Sequence, residues 1–521
     1  LWVTKQLRDL SPVIFLHQVT DLQQIEPQGE TLRIGAGVTV DLSIVGQQNT
    51  GGAGLDTLVS IEELVGSAFS DRLNGAADAN MIYGGEGADL INGAGGKDFL
   101  SGGGGDDVIY GGSDEDVIFG GAGNDIIYTG AAFSYGDGDL AFGEDGDDVI
   151  IGGDGRQKLH GGAGNDTLDG GGADDMLFGG AGNDILNGGD GFDTADYSGA
   201  GAGVMVNLSI AGPQNTGGDG SDMLTGIECL VGSAFADRLT GTSGADVIYG
   251  GAGGDWIIGG GGDGDFLDGG DGADLIYGGA GDDYIVGGAG DDVIYLGASS
   301  SNDYRYDTAQ GGDGNDYISA GDGGQSLYGG AGNDTLSAGA GDDFLVSGTG
   351  VDRLDGGAGV DVAEIDRSDL SAAFSIDLSG GPTSLTTASD GTTVTGVERA
   401  NITGGSGADT ITGWAQSDIL NGGAGDDVVN GGGGGDYLFG GGGADRLIGG
   451  PGGDYLKGDG RSGGRRLAEH QRGGPRHAGE HRKRRRLGVR RHVVRLEWSR
   501  CPQRRGWRRP DQWRGGRPPP F

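Results

Sequence analysis

Aspartate recurs through this sequence every nine residues, two places ahead of an apolar residue, as in GGEGADLIN from position 84, GGGGDDVIY from 102 and GGAGNDTLD from 161. Thirty windows fit the frame G-G-x-G-x-D-x-U-x, where U is Ile, Leu or Val: 12 between 75 and 196, 12 between 241 and 364, and 6 between 404 and 457. Aspartate fills the sixth place in 27 of them. These are Asp89, Asp98, Asp107, Asp116, Asp125, Asp148, Asp166, Asp175, Asp184 and Asp193 in the first array. The second array holds Asp246, Asp255, Asp265, Asp274, Asp283, Asp292, Asp316, Asp334, Asp343, Asp352 and Asp361, and the third Asp409, Asp418, Asp427, Asp436, Asp445 and Asp454. Carboxylates can work as acid–base pairs or as ligands of a hard cation. Adjacent acids such as Asp106/Asp107 and Asp282/Asp283 recur in many equivalent turns, whereas an active site is usually unique. Cation ligation is therefore the expected role.

The elements that must position these carboxylates follow from the same nine residues. G-G-x-G-x-D puts glycine where a tight turn needs positive φ and where backbone packs closely. The remaining x-U-x is long enough for a minimal strand with one side chain pointing inward. Two windows make one coil of 18 residues, and coils stack as parallel strands about 4.8 Å apart around a thin core of eighth-place residues. The expected fold is all-β: a parallel β-roll, or β-solenoid, of stacked nonapeptides. A flexible Asp/Gly-rich linker would show neither the fixed acidic place nor the fixed apolar one.

Stacking sets the sixth-place carboxylates in columns, whose mutual repulsion opposes folding unless a cation offsets it. Calcium fits, because it takes six to eight oxygen ligands with tolerant geometry, and turn carbonyls add to the carboxylates. Zinc is disfavoured by arrays that contain one histidine, His160, and no cysteine. Magnesium is disfavoured by its reluctance to dehydrate.

GGAGNDTLD, GGAGDDVIY from 287 and their relatives resemble the hemolysin-type calcium-binding repeats of RTX proteins over roughly residues 75–460. The resemblance implies a calcium-loaded β-roll, an extracellular location after type I secretion, and the sixth-place aspartates as ligands. Windows with Asn80, Gln157 or Gln325 at that place depart from the pattern. An Arg-rich C-terminus is unlike the export signal such proteins carry, so the chain reads as a fragment of an exported parent.

Between the arrays runs a longer repeat. Residues 35–75 match residues 201–241 at 29 of 41 positions, with VTVDLSI and VMVNLSI alternating as short strands do. A third copy, FSIDLS, starts at 374. The expected organisation is connector 33–74, array 75–196, connector 197–240, array 241–364, connector 365–403 and a truncated array 404–460. Stretches 129–142 and 296–310 break the period and read as surface loops.

The ends differ from all of this. Residues 1–32 have ordinary composition, and LWVTKQLRDLSPVIFLHQVTDLQQIE with LRIGAGVT resembles a stretch of the FAD-binding subunit of molybdenum xanthine dehydrogenases over residues 1–39. A piece that short cannot fold alone, so neither flavin binding nor redox activity is expected. Residues 461–521 hold 20 Lys and Arg against 4 Asp and Glu, and read as a disordered or out-of-frame tail.

Composition narrows the function. Glycine supplies 125 of 521 residues with only 11 prolines, which excludes collagen. Residues 1–460 hold 74 acidic against 14 basic residues, which argues against nucleic-acid binding by the body of the chain. No stretch is apolar enough to span a bilayer as a helix. Cys229 and Cys501 form no disulfide framework. Neither H-E-x-x-H nor G-x-S-x-G occurs; His160 reads as an exposed turn residue, and Trp256 and Trp414 stand alone. The expectation is a non-enzymatic, extracellular calcium-binding protein of adhesin or matrix type, with a cell-surface or matrix partner of unknown identity. The alternative is the export module of a larger secreted enzyme.

Overall fold

The computed structural model describes residues 37–458 apart from 52–54, 132–137, 263 and 299–306. The flavoprotein-like stretch and the basic tail lie outside the described residues, in which every regular element is a strand.

The strands are longer than x-U-x requires. In the first two arrays most run from the seventh place of one window to the third of the next, as in Phe99–Gly104, Val108–Ser113 and Val117–Ala122, while a few, such as Val149–Ile151, stay minimal. The leading G-G-x therefore belongs to the strand, and only places four to six turn. Glycine at the second place makes this work: Gly103, Gly112 and Gly121 lie at φ +109, +121 and +119, which bends the strand where a β-carbon would strain it. In the third array the strands keep their minimal length, as in Ile419–Asn421 and Val428–Asn430.

Pairing is parallel at one coil per step: Phe99 faces Val117, and Val117 faces Leu140. One ladder of twenty such strands runs without a break from Glu63–Val65 to Tyr455–Lys457, through all three arrays. The opposite face is divided into three sheets, beginning at Thr39–Asp41, Met205–Asn207 and Ser375–Asp377. Each connector thus starts a fresh sheet on one face and leaves the other continuous. It also inserts a short antiparallel hairpin, such as Gln47–Asn49 with Leu55–Thr57.

Eighth-place side chains form the core. Ile82, Ile91, Leu100, Ile109, Ile118 and Ile127 are fully buried in sequence, each contributing about 1.5–3 kcal/mol of apolar burial. Ninth-place rings stack along the outside: Phe119 on Phe142 at 4.9 Å, Phe142 on His160 at 4.5 Å, and His160 on Phe178 at 4.0 Å. His160 is accordingly not an exposed turn residue. Burial, with a smaller effect of Lys158, lowers its pKa to about 4, so the ring is neutral at pH 7. Trp256 does not stand alone either, since the Arg238 guanidinium lies 4.0 Å above its ring.

The two expected loops begin and end in repeat strands, and their middles, 132–137 and 299–306, lie outside the described residues. Residues 129–131 close the strand Ile126–Ala131 and 140–142 open the strand Leu140–Asp145; 296–298 and 307–310 likewise lie in Val293–Ala298 and Asp307–Asp313. Each stretch is one nonamer with extra residues between its third and sixth places. Periodicity hid it because an insertion inside a window shifts the frame without removing the strand.

Candidate metal centre

The sixth-place aspartates form hydrogen-bonded columns. On one edge Asp89 N donates to Asp107 Oδ1 at 2.7 Å, Asp107 N to Asp125 Oδ1 at 2.8 Å, and Asp125 N to Asp148 Oδ1 at 2.8 Å. On the other edge Asp98 N donates to Asp116 Oδ1, and Asp116 N to Asp139 Oδ1, both at 2.8 Å. One oxygen of each of these carboxylates, Asp107, Asp125, Asp148, Asp116 and Asp139, therefore binds a backbone amide of the preceding coil. This structural duty was not anticipated from the sequence.

The second oxygen separates three kinds of turn. In most windows Oδ2 is buried and has no hydrogen-bond partner, as at Asp107, Asp116, Asp166, Asp274, Asp334 and Asp436. In a smaller set the second-place amide reaches it: Thr242 N to Asp246 Oδ2 at 2.6 Å, Gly405 N to Asp409 Oδ2 at 2.8 Å, and Trp414 N to Asp418 Oδ2 at 2.7 Å. These second-place residues are not among those with positive φ. A positive φ at the second glycine thus accompanies the absence of that donor. Asp352 is the third kind: the Arg367 guanidinium holds its Oδ2 at 3.1 Å. Asp246, Asp409, Asp418 and Asp352 are consequently already satisfied, unlike Asp107, Asp116, Asp166, Asp274, Asp334 and Asp436.

Around an unsatisfied Oδ2 the backbone is drawn in closely. A β-carbon on first-place Gly102 would lie 2.1 Å from Asp107 Oδ2 and 2.5 Å from the Gly120 carbonyl oxygen, and one on Gly105 would lie 2.3 Å from the Gly87 carbonyl oxygen. Gly102→Ala is expected to cost at least about 1–3 kcal/mol, the range for overpacking. Gly261→Ala, at a glycine with nothing within 4 Å of the added carbon, should change urea stability by less than about 0.5 kcal/mol. Equal losses from the two would remove the packing argument.

Burial with like-charged neighbours makes these carboxylates reluctant to ionise. Burial is the main cause that raises Asp107 to about 7, opposed by its bond from Asp89 N and helped by the charges of Asp125, Asp89 and Asp106. Asp116 and Asp175 are raised to about 8, again chiefly by burial. A cation beside Oδ2 would reverse both effects. Among the described residues no three His, Cys, Asp or Glu side chains converge on one point, so most ligands of such a cation would be main-chain oxygens. That donor set suits calcium and not zinc.

Three parts of this arrangement were missed in the sequence. Asp139 and Asp307 occupy the sixth place of the two interrupted windows, where Asp139 accepts from Asp116 N and Asp307 Oδ1 from Asp283 N at 2.9 Å. The short strings DLAF and DTAQ at 139 and 307 were the available signal. Asp71 and Asp237 of the connectors join the columns by accepting from Val38 N and Val204 N, at 2.6 and 2.7 Å; GSAFSDRLN and GSAFADRLT were nonamers in disguise. Fifth-place residues form an exposed second ladder, in which Asn124 N donates to Asp106 Oδ1 at 2.9 Å and Asp147 N to Asn124 Oδ1 at 2.8 Å. Gln157 and Gln325 keep the sixth-place amide bond, donating to Asp175 Oδ1 and Asp343 Oδ1 at 2.7 Å. Asn80 closes its own turn by accepting from Ala76 N at 2.6 Å.

The family model described as the RTX calcium-binding nonapeptide repeat matches residues 65–100, 101–132, 134–168, 160–195, 231–266, 260–294, 306–324, 328–363, 400–429 and 430–460, together more than half of the chain. No curated protein matches it.

Proposed function

The chain belongs to the RTX calcium-binding nonapeptide-repeat family, and from that premise we propose that it is a non-enzymatic protein of the cell surface or extracellular matrix, exported by type I secretion, whose β-roll assembles when it meets calcium outside the cell. Its repeats bind calcium; the proposal concerns which residues hold the ion and what binding accomplishes.

The observation that carries it is the file of buried, unpartnered Oδ2 atoms, Asp107 and Asp166 among them. Such an atom costs about 1–3 kcal/mol or more when left unmet. Repeated through two long arrays, that cost opposes folding until a cation arrives. At millimolar calcium, sites with dissociation constants of about 10⁻⁴–10⁻³ M each return roughly 0.4–1.4 kcal/mol. Summed over many coupled sites this decides between the expanded and assembled chain. Inside a cell, where calcium is scarce, the same chain stays open and exportable.

Absence of enzymatic activity is supported by the sameness of the turns. The arrangement at Asp107 recurs at Asp116, Asp166, Asp274, Asp334 and Asp436, and the histidine of the arrays is held neutral between two phenylalanines.

Asp107→Asn tests the ligand assignment, because asparagine retains the Oδ1 acceptor and removes the charge. In chelator the variant is expected to be more stable than the parent, and in saturating calcium less stable, with about one ion fewer bound. Asp246→Asn, in a turn already closed by an amide, should leave the calcium count unchanged. If Asp107→Asn kept the full count, the column would be structural only.

A further inference from the structure

Asp352 belongs to the window SGTGVDRLD, 347–355, whose turn resembles the others except for one visitor. Arg367, only 2% exposed, reaches in from the start of the third connector. Its Nη1 donates to the second-place carbonyl of Gly348 at 2.7 Å, to Ser347 Oγ at 3.2 Å and to Asp366 O at 3.1 Å. Its Nη2 donates to the fourth-place carbonyl of Gly350 at 3.1 Å, to Asp352 Oδ2 at 3.1 Å and to Thr392 Oγ1 at 2.8 Å. Nε donates to Asp390 Oδ2 at 2.7 Å. One guanidinium thus collects the second-place carbonyl, the fourth-place carbonyl and the sixth-place Oδ2 of a single turn, together with two carboxylate charges.

The first array, with the connector that follows it, supplies an internal control. Asp184 is the counterpart of Asp352: Asp184 N donates to Asp222 Oδ1 of the following connector at 3.0 Å, as Asp352 N donates to Thr392 Oγ1 at 3.2 Å. Among the described residues no guanidinium reaches Asp184, and its Oδ2 is buried without a partner. There the connector supplies a neutral group instead, the Tyr197 hydroxyl, which donates to Asp222 Oδ2 at 3.1 Å.

We propose that Arg367 is a resident cation for the 347–355 turn: it fills the place calcium takes elsewhere, so this turn binds no calcium and the junction of the second array with its connector stays assembled without the ion. The inference rests on the calcium reading of the columns, and goes beyond it by exempting one coil. A permanently closed coil at the seam offers newly exported chain a template on which neighbouring coils can stack as calcium arrives.

The planar fork of Arg suits this task, since it offers five donors and keeps its charge when buried. Lysine would keep the charge but not the fork. The test uses the full chain and two variants, Arg367→Ala and Arg367→Lys, with hydrogen exchange read peptide by peptide and bound calcium counted after dialysis against calcium. In chelator, peptides spanning 344–355 and 390–403 of the parent should remain protected while those spanning 99–122 exchange freely. Arg367→Ala should speed exchange of the protected peptides by about a hundredfold or more, the scale of a buried charge left unpaired. Calcium should restore that protection, with about one ion more per chain than the parent. Arg367→Lys should add no ion.

A parent in which 344–355 opens in chelator as readily as 99–122 overturns the resident-cation proposal and leaves the calcium reading intact. A parent protected throughout in chelator overturns calcium-coupled assembly instead. In that case the Arg367 proposal stands only if Arg367→Ala opens 344–355 and calcium closes it again, and falls otherwise. An unchanged ion count in a folded Arg367→Ala chain also overturns it.

Discussion

Chelating calcium from the full chain at pH 7.5 is expected to abolish most of its far-UV β signal, and returning millimolar calcium to restore the signal cooperatively. Magnesium at the same concentration should restore little, because it gives up its water reluctantly and demands a stricter geometry. The size of the effect follows from the architecture. Each coil buries one core side chain per strand, as Ile109 or Leu168, and among the described residues no second layer packs over it. Against this modest gain stand columns of buried carboxylates and 74 acidic against 14 basic residues in positions 1–460. Because coils contact mainly their neighbours, loss of ions in a few adjacent turns uncouples the stack on both sides. A spectrum unchanged in chelator would mean that the core suffices, and the proposed mechanism would fail.

Acidifying the chelated chain from pH 7.5 to about 5 is expected to recover β structure without any metal. An unfolded aspartate titrates near 3.9, whereas burial raises the calcium-free folded values to about 6 for Asp89 and Asp166, about 7 for Asp107 and Asp334, and about 8 for Asp116 and Asp175. Between about pH 4 and these values the folded chain binds more protons than the unfolded one. Stability therefore falls as pH rises through that window. The contribution is fully present below about pH 4 and is lost once the pH passes about 6–8. In calcium the direction reverses, since the ion requires ionised ligands and acid displaces it. Circular dichroism across pH 4–8, in chelator and in calcium, should give two curves of opposite slope. A chelated sample that loses signal steadily on acidification would show that the columns do not govern folding.

Much of the fold was legible in the residues because its determinants are local and repeated. Period nine, one inward Ile or Leu, and glycine at the bend define a strand and a turn in each window, so stacking was the arrangement that could bury Ile91, Leu100 and Ile109 together. The parallel pairing and the thin core follow. Less legible were the places where the frame slips: Asp139 and Asp307 behind insertions, and Asp71 and Asp237 inside connectors whose glycines had been replaced. A window is recognised by its period, but it is built by its strand, and a strand tolerates a longer or altered turn.

The sequence by itself determined that a column of carboxylates exists, which side chain supplies each step, and that a hard cation suits them. Only the tertiary structure decided which carboxylates still have an oxygen to offer. That depends on the backbone at a residue four positions earlier, where an amide meets Asp246, Asp409 and Asp418 and does not meet Asp107. It also depends on a side chain arriving from the next coil, as Arg367 arrives at Asp352. The nonapeptide encodes the type of ligand, whereas hydrogen-bond satisfaction is a property of the assembled turn, set by φ angles and by neighbours that no single window contains.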